Sequence, residues 1–263
     1  MNRIFSVEDR QKAFEYILTV TKEHEKIVAL CQVGSGAIGY HDARSDLDFV
    51  IAMDTGDSMA EVMEYMKKRI TEKYKVIYFK QAEERHLQVY MLDNLLEIDI
   101  GFGGYEHAAA WKPAFKVLFD RSGVVEEKMI QSRAWMDDSI YGGKQKKDIE
   151  QACDSVWMRM MHAAVAINRG LYFRAIGELE YIRKTYIDLL GDRFRVESGL
   201  NREIDQLPEQ EKDLIRSTFV QGETKEALWN SLLALTALVY RGLEGNTVPI
   251  PKEMVLAYYE DLK

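Results

Sequence analysis

Apolar and polar positions follow two different rhythms along this chain. Over residues 7–24, Val7, Phe14, Ile17 and Leu18 recur near helical spacing, with Ser6 placed to cap and Glu8 or Asp9 in the first turn. Ile27 to Val33 is a short, mostly apolar run that reads as a strand and delivers a glycine turn, and Leu47 to Met53 reads as a second strand. Ser58 is expected to cap a helix running to Tyr74, with Met59, Val62, Met63, Met66 and Ile70 on one face. Three more strands are predicted at 75–80, 87–92 and 95–101. From Asp120 onward the strand pattern stops, and segments 124–138, 145–168, 171–190, 208–220, 223–242 and 251–261 read as helices.

Strands first and helices second predict an α+β chain: a mixed sheet with flanking helices, then an all-α helical bundle. Paired glycines in Tyr141-Gly142-Gly143-Lys144 place the boundary there, giving domains at 1–142 and 143–263. The 263 residues, 47% of them apolar, can support one large core or two ordinary ones.

The net charge of −8 argues against nucleic acid as a partner, because polyanion binders usually carry a basic surface. The first residues lack the apolar core of a signal peptide. The longest apolar run, around Leu232 to Tyr240, is far short of the ~20 residues that span a bilayer. A cytoplasmic protein without membrane contact is therefore expected. Cys31 and Cys153 both lie in apolar segments, as buried structural thiols do.

The chemistry concentrates between Val33 and Val50. Asp46 and Asp48 are two apart at the start of a strand, so their carboxylates face one side, as a hard cation such as Mg²⁺ requires. The small residues of the Gly34-Ser35 turn let backbone N–H groups approach a phosphate. In Leu95-Leu96-Glu97-Ile98-Asp99-Ile100, Glu97 and Asp99 share the face opposite Leu96, Ile98 and Ile100. Beside the strand of Asp48, Asp99 would complete a three-carboxylate cluster for one or two Mg²⁺ ions, or take a proton as general base. The plainer alternative leaves Asp46 in a turn and pairs Asp48 and Asp99 with basic side chains.

Gly34-Ser35-Gly36-Ala37-Ile38-Gly39 also satisfies G-x-G-x-x-G after a strand. A dinucleotide site needs a long helix to begin at those glycines. Here a strand resumes at Leu47, which leaves no room for one.

With these residues in view, the chain resembles the nucleotidyltransferase superfamily of the DNA polymerase β type. Val33-Gly34-Ser35 and Asp46-Leu47-Asp48-Phe49 match its signature, and Asp99 looks like its third acid. The layout is similar to the antibiotic nucleotidyltransferases acting on aminoglycosides and lincosamides, which join a catalytic domain to a helical one. Val117 to Gly123 looks like the segment closing the catalytic domain in such relatives.

The resemblance implies that Gly34 and Ser35 hold the β- and γ-phosphates of ATP or another NTP, with Ser45 a further hydroxyl contact. Asp46, Asp48 and Asp99 would hold the metal. The product would be an NMP ester of a hydroxyl on a small acceptor, such as an aminoglycoside-like antibiotic, bound by the helical domain. Some relatives place Arg soon after Gly-Ser, where Ile38 and Gly39 stand here; Arg44 or a basic residue of the helical domain would replace it. Relatives also draw acceptor-binding acids, or the base, from the second domain, which singles out Glu178 and Glu180. Two further readings on the same fold are a non-catalytic nucleotide sensor or interaction module and an enzyme transferring AMP to a protein.

Among other residues, Trp157, Met158, Met160 and Met161 read as packing, and Arg174, Glu178, Glu180, Arg183 and Lys184 as solvated charges. His162 reads as a core histidine, and His41 lies beside the glycine turn. Tyr40, Tyr105, Trp111 and Trp135 are rings able to stack on a base or acceptor.

Overall fold

Eight helices and six strands form among the described residues, 4–110, 114–137 and 143–262 of a computed structural model. Two compact units result, residues 1–137 and 138–263. The first holds β1 (Ile27–Val33), β2 (Leu47–Met53), β3 (Val76–Ala82), β4 (Leu87–Leu92), β5 (Glu97–Gly104) and β6 (Phe115–Asp120), with α1 (Val7–Glu23), α2 (Met59–Lys73) and α3 (Val125–Asp137). The second holds α4 (Gly143–Asn168), α5 (Tyr172–Phe194), α6 (Glu209–Ser217), α7 (Lys225–Gly242) and α8 (Lys252–Leu262). Residues 138–142, which include Tyr141 and Gly142 of the glycine-rich boundary, lie outside the described residues, as does Trp111.

The strands make one mixed sheet in the order β3-β4-β5-β2-β1-β6. Only β2 and β5 pair in parallel; the other four pairings are antiparallel. Alternation divides the sheet into two faces. Leu30, Phe49, Ile51, Ile98 and Ile100 meet Ala13, Ile17 and Val20 of α1 and Val62, Met66 and Ile70 of α2. On the other face, Ala29, Cys31 and Ala52 pack with Val125 and Met129 of α3. The Cys31 sulfur lies 3.6 Å from that of Met129, and burial pushes its thiol up to about 12, so it is a packing group.

α1 begins where its capping residues put it. Ser6 Oγ accepts the Asp9 N–H at 3.2 Å, while the Asp9 carboxylate accepts the Ser6 N–H at 2.8 Å. Its buried stripe is Arg10, Ala13, Ile17, Val20 and Thr21, whereas Val7, expected on the apolar face, is exposed. Ser58 makes no cap; its hydroxyl donates to Asp54 Oδ1 at 2.7 Å, across a short 3-10 turn that precedes α2.

The sixth strand is an addition to the sequence reading. β6 pairs with β1 at a sheet edge, and Asp120 at its end accepts N–H groups of Ser122, Gly123 and Val125, so strand and helix start share one side chain.

The second unit is all helical. Met160, Ala163, Ala164 and Ile167 of α4 share a core with Leu179, Ile182 and Tyr186 of α5, Leu228, Leu232 and Leu235 of α7, and Val255 and Tyr259 of α8. Trp157 joins it partly buried, but Met158 and His162 are exposed, because each points off the stripe defined by Val156, Met160, Ala163 and Ile167. Arg183, expected in solvent, is buried: its Nε donates to Thr218 Oγ1 at 2.9 Å and Nη2 to the Thr218 carbonyl at 2.7 Å. Among the described residues no helix is long and apolar enough to cross a membrane.

Candidate functional site

Two acids far apart in sequence, Asp48 and Asp99, are brought together by strand register. In the parallel β2–β5 pair, Asp48 stands opposite Asp99, with Leu47 opposite Ile98 and Phe49 opposite Ile100. Opposed residues of neighbouring strands share a face, so the carboxylates lie side by side at the centre of the sheet. Their neighbours Leu47, Phe49, Ile98 and Ile100 are fully or nearly fully buried beneath α1 and α2. Asp48 and Asp99 point the other way and are half-buried. On that face Val50 is exposed and Gly101 and Gly103 carry no side chain, so the surface beside the acids is low and open.

The glycine turn closes on the same spot. Gly34–Ile38 forms a five-residue 3-10 turn, after which Gly39 and Tyr40 take left-handed φ of 99° and 65°. Gly34 itself has φ 65°, and a Cβ built there would lie 2.5 Å from Asp48 Oδ2. The main chain of the turn therefore rests directly on the Asp48 carboxylate, an approach that only glycine permits. The opening N–H groups of a helical turn have no partner within the turn itself, which suits them to anionic oxygen. No long helix follows, which removes the dinucleotide geometry.

The loop joining turn to acids is held from below. Arg10 of α1, 4% exposed, donates from Nη1 to the carbonyls of Asp42 and Ser45, both at 3.0 Å. Its guanidinium carbon lies 3.7 Å from the centre of the Tyr40 ring. The Tyr40 N–H donates to the Ser35 carbonyl at 2.7 Å, and its hydroxyl accepts from Gln32 Nε2 at 2.8 Å. Burial raises the Tyr40 hydroxyl pKa. Hydrogen bonding by Gln32 and the Arg10 charge oppose that rise, and the charges of Asp46 and Asp48 add to it. Tyr40 thus lies within the field of both acids.

Asp46 directly precedes β2 and is half-buried. Ser45 Oγ accepts the Asp42 N–H at 3.4 Å. Arg44 donates to the Phe5 carbonyl, which ties it to the chain before α1. His41 is exposed.

Among the described residues, no three His, Cys, Asp or Glu side chains form a ready metal-binding group. Asp48 and Asp99 nevertheless place two carboxylates side by side next to the Gly34 main chain. Mg²⁺ commonly takes one or two carboxylates and completes its shell with water and substrate phosphates, so this donor set fits that ion.

The chain is similar over 98% of its length to the crystal structure of an aminoglycoside 6-adenyltransferase from Bacillus subtilis, covering 99% of that chain at 14% identity and a TM-score of 0.44. No protein-family model matches the sequence, and no curated protein matches it.

The helical-unit acids have structural partners of their own. Glu178 Oε2 lies 3.3 Å from Arg159 Nη1, and Glu180 pairs with buried Arg183. Of the rings named from sequence, Tyr40 belongs to the site and Tyr105 packs with the α3 face of the sheet, while the side chain of Trp135 lies outside the described residues. Sequence reasoning missed Arg10 and Gln32. The signal for Arg10 was present, as a cation on the buried stripe of an amphipathic helix.

Proposed function

We propose that this protein is a Mg²⁺-dependent nucleotidyltransferase that moves an NMP group, AMP from ATP in the first instance, onto a hydroxyl of a small molecule. The observation that carries the reading is the Asp48–Asp99 register beneath the Gly34 main chain. It brings two carboxylates and the Gly34 turn within one side chain's reach, which supports the reading that the signature Val33-Gly34-Ser35 and Asp46-Leu47-Asp48 implies.

In this reading Asp48 and Asp99 hold the ion, with Asp46 completing the set once nucleotide is bound. When bound, Mg²⁺ neutralises triphosphate charge and lowers the pKa of the acceptor hydroxyl. Backbone N–H groups of Gly34 and Ser35 receive the β- and γ-phosphate oxygens, and Ser45 adds a hydroxyl. The acceptor oxygen attacks the α-phosphorus in line, its proton passes to the Asp99 carboxylate, and pyrophosphate leaves. Oriented N–H donors act here through charge that develops on the phosphate oxygens.

Incubation with ATP, Mg²⁺ and a panel of hydroxylated acceptors, aminoglycosides first, is expected to release pyrophosphate only when an acceptor is present. Asp48→Asn and Asp99→Asn should each lower that rate at least ~100-fold, the scale of losing a central electrostatic group. Activity surviving both changes refutes the site. Tight ATP binding with no turnover under any acceptor favours a sensor, and labelling of lysate protein favours protein AMP transfer.

A further inference from the structure

We infer that Arg10, which lies outside the reacting groups, is a positioning residue that fixes the spacing between the glycine turn and the acidic strand. The inference rests on the nucleotidyltransferase reading and adds to it a residue that no signature contains.

The geometry is a clamp. One guanidinium touches the connecting loop at three places: the Tyr40 ring at 3.7 Å and the carbonyls of Asp42 and Ser45 at 3.0 Å each. Ser45 adjoins Asp46, the first of the acids. Tyr40 reaches the other way, through its N–H to the Ser35 carbonyl inside the glycine turn. Gln32 ties the third corner. It is buried at the end of β1, donates to the Tyr40 hydroxyl, and lies so close under Gly36 that a Cβ there would sit 2.2 Å from its Nε2. Arg10, Tyr40 and Gln32 therefore connect both ends of the loop to two rigid elements, α1 and β1.

α1 has no need of this guanidinium for its own attachment. Ala13, Ile17 and Val20 are fully buried against the sheet, and the Ser6–Asp9 capping box starts the helix. A buried charge is costly unless its hydrogen bonds are used, and those of Arg10 run to loop carbonyls. Tyr40, with φ 65°, holds a conformation that a tyrosine adopts only when its surroundings over-determine it. Both features act on the separation between turn and acids, the distance a metal-bridged triphosphate must span.

The test uses the full chain with α,β-methylene-ATP, whose scissile position is blocked, and Mn²⁺ in place of Mg²⁺. Wild-type protein should bind the analogue by calorimetry and show ³¹P couplings to bound Mn²⁺ in electron–nuclear double resonance. Arg10→Met should keep the wild-type circular dichroism spectrum, bind the analogue at least tenfold more weakly, and lose or broaden the ³¹P couplings. Arg10→Lys should recover part of both, since an ammonium can reach the carbonyls without stacking on Tyr40. Tyr40→Leu should reproduce the defect, and the double variant should be little worse than either single one, as members of one clamp are non-additive. If Arg10→Met fails to fold, Arg10→Lys and Tyr40→Leu make the same comparison. Folded variants with wild-type affinity and unchanged couplings overturn the role of Arg10 alone. A wild-type chain that binds no nucleotide overturns the nucleotidyltransferase reading, and this inference with it.

Discussion

At Gly34 a methyl group would meet the Asp48 carboxylate at 2.5 Å in a backbone of φ 65°, so two penalties fall on one substitution. The left-handed conformation alone costs a non-glycine residue roughly 1–2 kcal/mol. The contact forces either the turn or the acid to move. Gly34→Ala is therefore expected to weaken nucleotide binding about tenfold or more, an amount worth ~1.4 kcal/mol, as calorimetry would measure. Gly36→Ala should be milder, because its backbone needs no left-handed φ, although its Cβ would sit 2.2 Å from Gln32 Nε2 and loosen the bond from Gln32 to Tyr40. Gly34, Asp48 and Asp99 were legible in the sequence because their residue types are restrictive: a glycine and two acids inside apolar strands each demand an explanation. Arg10 could be read only as a cation on a buried helix stripe; its partners could not, since they are backbone carbonyls and a ring, and no residue pattern records a carbonyl's position.

Among the elements, the ends of α1 and α3 show how local chemistry decides what periodicity blurs. α1 starts where its capping box predicts. α3 is started by Asp120, a residue that sequence alone placed at the close of the strand region. Burial works against the Asp120 carboxylate, yet hydrogen bonds from Ser122 and from the N–H groups of Val125, Glu126 and Gly123 outweigh it and hold its pKa below the usual range. A depressed carboxylate stabilises the fold above its unfolded pKa, near 4, and that contribution disappears as pH falls through the folded value. Asp120→Ala should lower stability at pH 7 by about 1 kcal/mol in denaturant unfolding, the usual loss for a helix cap. The acid limb of its stability profile below about pH 4 should flatten as well. β6 escaped the sequence reading because its alternation is imperfect: Leu118 and Phe119 both pack against the core on the α1 and α2 side, although they are consecutive.

Across the whole molecule, two cores carry two separate demands. The helical core around Leu179, Leu232 and Leu235 was foreseeable from helical spacing, while its polar seam was not. There Asp192 is nearly buried, 3.1 Å from Lys144, and burial pushes its carboxyl up to about 6 against the pull of that lysine. A raised folded pKa contributes stability fully present below the unfolded value and lost as pH rises through the folded one. The melting temperature should thus decline between pH 4 and 6, and Asp192→Asn should level that decline in a scanning-calorimetry series. Leu235→Ala in the same core should cost about 2–5 kcal/mol of stability while leaving nucleotide affinity at the sheet unchanged. The acceptor was not legible, since it depends on the shape of surfaces rather than on a motif. The one parallel pairing, β2 with β5, has a further consequence for how the protein comes into being. Asp48 and Asp99 are separated in the chain by all of α2 and the β3–β4 hairpin, so this contact closes a long loop, which is slow compared with making a hairpin. A nascent or partly folded chain can own every residue of the site and still have no site, and in refolding followed by nucleotide binding the signal should return only once β2 and β5 have paired, later than the β3–β4 hairpin forms.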